Sequence, residues 1–231
     1  MVSSVYHNRS DQFCRYIIDQ QPQPDWLHLR DNVLREMGCN DKTGDEDPEQ
    51  ILRNQALATL GLHNIREGLP VGRIKSGAPL SDILAQQDID IVLMDNHMDL
   101  GARLWVDAQG GVPYPFFMRT DYVPGFKSRL ELAPYLSAEQ SAEYNLRIAN
   151  YFKKLLPNTE IVFLHFPINK NKAQDRRVAM TWEFADTLGS KIKDVKPFYV
   201  NESYHTATAS HFTPEVYFAM AGSVRAIIER C

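Results

Sequence analysis

Short continuous apolar runs alternate along this chain with longer stretches in which apolar residues return every three or four positions. The first pattern predicts strands buried on both faces, the second amphipathic helices. Val2–Tyr6, Ile89–Met94, Ile161–Leu164 and Pro197–Val200 are the strand candidates. Ser10-Asp11 can cap a helix that carries Phe13, Tyr16 and Ile17. After the Pro22-Gln23-Pro24 break, Trp26–Leu29 reads as a strand, while Asp25–Met37 reads equally well as a helix. Asp47-Pro48-Glu49-Gln50 opens a helix that runs to about Leu60 and stops at Gly61. Leu80–Gln86 is a short helix leading into Ile89–Met94, whereas Gly101–Tyr135, rich in Gly, Pro and aromatics, follows neither period. Ser137-Ala138-Glu139-Gln140 is a capping-box start, and its helix presents Tyr144, Ile148, Phe152 and Leu155 on one face before Pro157. Asp175–Leu188 and Pro214–Arg230 complete the helices, the last with Tyr217, Met220, Ala221, Val224 and Ile228 as its buried stripe.

Strands separated by crossover-length segments predict an α/β fold with one mostly parallel sheet, covered on both faces. A chain of 231 residues that is 44% hydrophobic can bury one good core, and no repeat or low-complexity linker divides it. A single domain over residues 1–231 is the expectation. The formal net charge of −4, with Lys and Arg scattered, leaves no basic footprint and argues against a nucleic-acid partner. No apolar run approaches the roughly 18 residues that a membrane span needs, and the polar start lacks a signal-peptide pattern. Cys14, Cys39 and Cys231 are odd in number and far apart, which fits a reducing compartment and a cytoplasmic protein.

Ligands of parallel sheets bind beyond the carboxyl ends of the strands. The residues predicted to stand there are His7-Asn8-Arg9-Ser10, Asp95-Asn96-His97-Met98-Asp99, His165-Phe166-Pro167 and Asn201-Glu202-Ser203-Tyr204-His205, with His211 shortly after. Five of the seven histidines thus fall at one edge. Imidazole titrates near neutrality, so such an edge suits acid–base chemistry.

His211-Phe212-Thr213-Pro214-Glu215-Val216-Tyr217 resembles the last block of the SGNH (GDSL-type) hydrolases, in which a catalytic His precedes the final helix. Asn96, directly after a central strand, stands where that family carries the Asn that donates to the oxyanion. The resemblance implies a flavodoxin-like three-layer domain that hydrolyses or transfers ester-linked acyl groups, conceivably those of a carbohydrate. It makes His211 the general base, Asn96 an oxyanion donor, and Ser10 or else Ser4 the nucleophile. His7, His97, His165 and Arg119 would then contact a small-molecule or glycan substrate, and no cofactor is implied. The chain departs from the family at three points. No Gly-Asp-Ser follows the first strand, His97 replaces the Asp after the block's Asn, and Thr208 stands three before His211 where Asp is usual. Glu202, three before His205, keeps an acid-x-x-His spacing, so these two are alternative members of the site.

Two other readings share the same residues. His7, Asp95, His97, Asp99, His165 and His205 offer N and O ligands that suit Zn²⁺ in a metal-assisted hydrolase, but without a tight spacing such as His-x-x-x-His. A domain of the same fold that has lost catalysis would bind a glycan or a protein partner. Nothing in the sequence bears on oligomeric state.

Overall fold

A computed structural model describes residues 9–36, 69–73, 78–86, 88–101, 103–107, 113–114, 130–169, 176–204 and 212–229. The chain forms two compact units, Met1–Asp82 with Ala102–Tyr135 and Ile83–Gly101 with Leu136–Cys231. The first expected strand and the helix expected over Asp47–Leu60 lie outside the described residues.

In the first unit, α1 (Ser10–Phe13) continues as a π-helical turn over Cys14–Ile18. Arg9, extended at φ −70 and ψ 149, takes the cap position expected for Ser10-Asp11. Asp11 instead accepts the Gln12 N–H at 3.0 Å and pairs with the Arg9 guanidinium at 2.7 Å. Between strand and helix for the next segment, the structure shows the helix α2 (Trp26–Glu36). Asp25 decides it locally, because its carboxylate accepts the His28 N–H at 3.0 Å as an N-cap does. Gln23 pins the start of this helix by accepting both the Trp26 indole N–H and the Val71 N–H, at 3.0 and 2.6 Å. The aperiodic segment contributes β2 (Trp105–Asp107), β3 (Pro113–Tyr114) and β4 (Leu130–Leu132), an antiparallel sheet in the order β3-β2-β4. The short helix α3 (Leu80–Leu84) spans the change from one unit to the other.

The second unit is α/β. Its parallel sheet has the order β1-β5-β7, from β1 (Ile91–Asp95), β5 (Glu160–Leu164) and β7 (Lys193–Val195). Adjacent residues of the central strand point to opposite faces. Val162 joins Val195 and Val224 in a cluster with α7 (Pro214–Ile228), while Phe163 stacks 5.0 Å from Phe184 of α6 (Arg176–Leu188). Helices therefore cover both sides of the central strand, whereas β1, expected to be buried on both faces, leaves Ile91, Leu93 and Asp95 exposed on one. Beyond β5 and β7, the chain segments pair again as β6 (Ile168–Asn169) and β8 (Tyr199–Val200). Of the last strand expected over Pro197–Val200 only Tyr199–Val200 is strand, and the third strand of the larger sheet is the unexpected Lys193–Val195. Pro197 has no N–H for the ladder, and the polar Lys193-Asp194-Val195 piece is a strand only because Val162–Leu164 pair with it.

Helix α5 (Ala138–Leu155) begins with the expected capping box, Ser137 and Gln140 bonding reciprocally at 3.0 and 3.1 Å. Its buried face is rotated from the expected one: Ala138, Ser141, Asn145, Ile148 and Phe152 are buried, Tyr144 is half-buried and Leu155 exposed. In α7 the buried positions are Val216 and Val224, with Met220, Ile227 and Ile228 partly covered, while Tyr217 and Ala221 are exposed. Among the described residues no helix is long and apolar enough to cross a membrane.

Candidate functional site

The carboxyl ends of β1 and β5 carry the chemistry. Asp95 ends β1, and its carboxylate accepts the His97 N–H at 2.9 Å, turning the chain into α4 (His97–Gly101). The Asn96 carbonyl accepts the first helical bond, from Leu100 at 3.1 Å. Asn96 is 2% exposed, and among the described residues neither its amide nitrogen nor its amide oxygen has a hydrogen-bond partner. Leaving such a group dry and unpaired costs about 1–3 kcal/mol, so its presence calls for an explanation.

His97 lies 4.5 Å from Phe166, and Phe166 lies 5.3 Å from Phe212. The Thr213 N–H in turn donates to the Tyr204 carbonyl at 2.8 Å, tying the start of α7 to the turn over Glu202–Tyr204. Loops that follow β1, β5 and β8 are therefore joined at one edge of the sheet with the residue next to His211. An open cleft of about 480 Å³ lies here, its lining including Tyr199, Asn201, Tyr204 and Glu215.

His165 directly follows β5 and has no exposed surface. Its Nε2 is 2.8 Å from Asp194 Oδ2, which also receives the Lys196 ammonium at 3.0 Å. The ring packs against Phe163 and Phe184, and Nδ1 has no partner. Burial pushes the imidazole below its ordinary pKa, opposed by the Asp194 hydrogen bond. Below about pH 6.5 the unfolded chain therefore binds a proton that the folded chain resists. This contribution to stability is full above that pH and is lost as pH falls towards the folded-state value. The urea midpoint should drop as the buffer is taken from neutral to mildly acidic, and His165→Gln should remove that part of the drop. Identical pH dependence in both proteins would count against a buried neutral His165.

A second polar cluster fixes α4. Asp99 is 1% exposed and accepts from the Ser141 hydroxyl at 2.5 Å and from the Asn145 amide at 3.0 Å. Arg176 closes the other end, donating to the Leu100 carbonyl at 2.6 Å, where the sequence suggests only a solvated helix face.

Asn96 and His97 thus follow β1 and His165 follows its partner strand β5, while Glu202 opens the turn that is bonded to Thr213. Ser10 is the first residue of α1 in the other unit and is buried. Ser4, His7, Arg119, His205 and His211 lie outside the described residues. The sequence reading overlooks Asp194, Ser141 and Asn145. Two polar residues four apart on an otherwise alanine-rich helix face are the signal for the last pair. Of the proposed metal ligands, His165 and Asp99 give their contacts to protein groups, and among the described residues no cluster of three or more His, Cys, Asp or Glu is placed to hold a metal. No family model, curated protein or solved structure matches the chain.

Proposed function

We propose that this chain is an ester hydrolase or O-acyl transferase of SGNH type on a flavodoxin-like domain, acting on acyl groups of a small molecule or glycan. The observation that supports this most is Asn96. A buried amide with both polar atoms unpaired, held at the carboxyl end of a parallel strand, is built to donate to charge that develops only during reaction. Its Nδ2–H stabilises the oxyanion formed when a serine hydroxyl adds to the ester carbonyl. His211 takes the hydroxyl proton and returns it to the departing alcohol, leaving an acyl-enzyme that water or an acceptor hydroxyl resolves. Glu202 and His205 are the candidates for orienting that base, and His97, His7 and Arg119 for holding substrate. The resemblance assigns the nucleophile to Ser10, with Ser4 as the alternative.

A serine-directed fluorophosphonate probe tests the assignment. Ser10 should be labelled in the wild type and left unlabelled in His211→Ala. Labelling at Ser4 keeps the mechanism and moves the nucleophile. The burial of Ser10 favours one rival, a domain that has lost hydrolysis and binds a glycan or protein partner. Absence of label on every serine, in folded protein that still binds a glycan, would establish that rival and end the enzyme reading.

A further inference from the structure

Two buried side chains with unpaired polar atoms occupy neighbouring positions of one sheet edge. Asp95 and Leu164 are the last paired residues of β1 and β5, and Asn96 and His165 follow them. Continuing the register sets Asn96 beside His165, on the sheet face shared by Met94 and Phe163. Neighbouring strands lie roughly 4.8 Å apart, so the two side chains stand within reach of one small molecule that both can bond. Asn96 is 2% exposed and His165 0%, so neither is hydrated from the surface.

The His165 ring cannot turn to find another partner, since Nε2 is bonded to Asp194 and the faces pack on Phe163 and Phe184. In the neutral ring, Nε2–H donates to the carboxylate and Nδ1 is left a pure acceptor. Asn96 supplies donors on Nδ2 and an acceptor on Oδ1. A buried acceptor and a buried donor at adjacent positions, both unpaired, match the two ends of a hydroxylic molecule.

We propose that Asn96 and His165 together hold one buried hydroxylic molecule, a water in the resting protein. Its O–H donates to His165 Nδ1, and its oxygen accepts from Asn96 Nδ2–H. Asp194 and His165 then form a positioning pair. Because Nδ1 only accepts, the bound water commits one O–H to it, and in the proposed arrangement its oxygen accepts from the Asn96 amide nitrogen. The second Nδ2–H is left for the oxyanion, a step that rests on the hydrolase reading above.

Nuclear magnetic resonance on the full ¹⁵N-labelled chain tests the site without any substrate. In the wild type, His165 should be the Nε2–H tautomer with Nδ1 hydrogen-bonded, and a long-lived water should show a contact to the Asn96 side-chain amide. Asp194→Asn replaces the charged acceptor of Nε2–H with an amide that can as well donate to Nε2, so the ring is no longer held in the tautomer whose Nδ1 accepts. The Asn96 amide signals should then move and the water contact should disappear. On an activated ester, kcat should fall about tenfold to a hundredfold with KM little changed. Unmoved Asn96 signals in folded Asp194→Asn overturn the proposal. Should that variant not fold, the wild type decides alone, and no water contact at the Asn96 amide overturns it. If the signals respond as described while the wild type turns over no ester, the buried site stands and the hydrolase reading falls.

Discussion

Changing His211 to alanine should lower turnover of an activated ester by about a hundredfold to ten-thousandfold while leaving the protein folded. The size follows from losing the group that takes the hydroxyl proton as the nucleophile attacks. The survival of the fold follows from what holds the next residue. Phe212 is buried with Val200 and Val216, its ring lies against Phe166, and Thr213 is anchored through its N–H to Tyr204. None of these contacts involves the imidazole of His211. Steady-state kinetics beside circular dichroism checks both halves. Unchanged kcat in a folded variant removes His211 from the mechanism, and a variant that does not fold assigns it a structural role.

Asn96→Leu should lower kcat about a hundredfold to a thousandfold, the range for loss of one oxyanion donor, with little change in KM. Leucine has asparagine's branched four-atom outline with bulkier end groups, so the buried site stays filled. Among the described residues the wild-type amide makes no hydrogen bond to protein, so the melting temperature should fall only by what the loss of the water shared with His165 costs. Most buried polar residues behave in the opposite way, because removing one orphans its partner. A large loss of stability together with undiminished turnover would show that Asn96 supports the fold and not the reaction.

These residues also mark how far the sequence is readable. Helix α5 is legible because its start depends on four neighbouring letters, Ser137 to Gln140, whose side chains cap each other without outside help. The rotation of its buried face is not, since Ser141 and Asn145 belong inside only once Asp99, far away along the chain, is there to accept from them. Strand β5 is announced by Ile161-Val162-Phe163-Leu164, apolar because helices cover both its faces. Strand β7 has no such run, and its Asp194 looks like any exposed carboxylate until the register sets it near His165. Asn96 could be picked out by its place after an apolar run. That its amide is unpaired is a property of everything packed around it.

Strand β1 has its partner β5 only after an excursion, because residues 102–135 between them belong to the other unit. At equilibrium the detour costs little, since each doubling of a loop adds only about 0.6 kcal/mol to closing it. In time it weighs more. A ribosome adding roughly 5–20 residues per second needs several seconds to reach Leu164 from Asp95. Throughout that interval Ile91 and Leu93, still partly exposed in the finished fold, form a naked apolar segment with nothing to pair with. The strand that ends at Asp95 is thus a part of the nascent chain in need of a chaperone, and slowing synthesis after residue 95 should aggravate its aggregation.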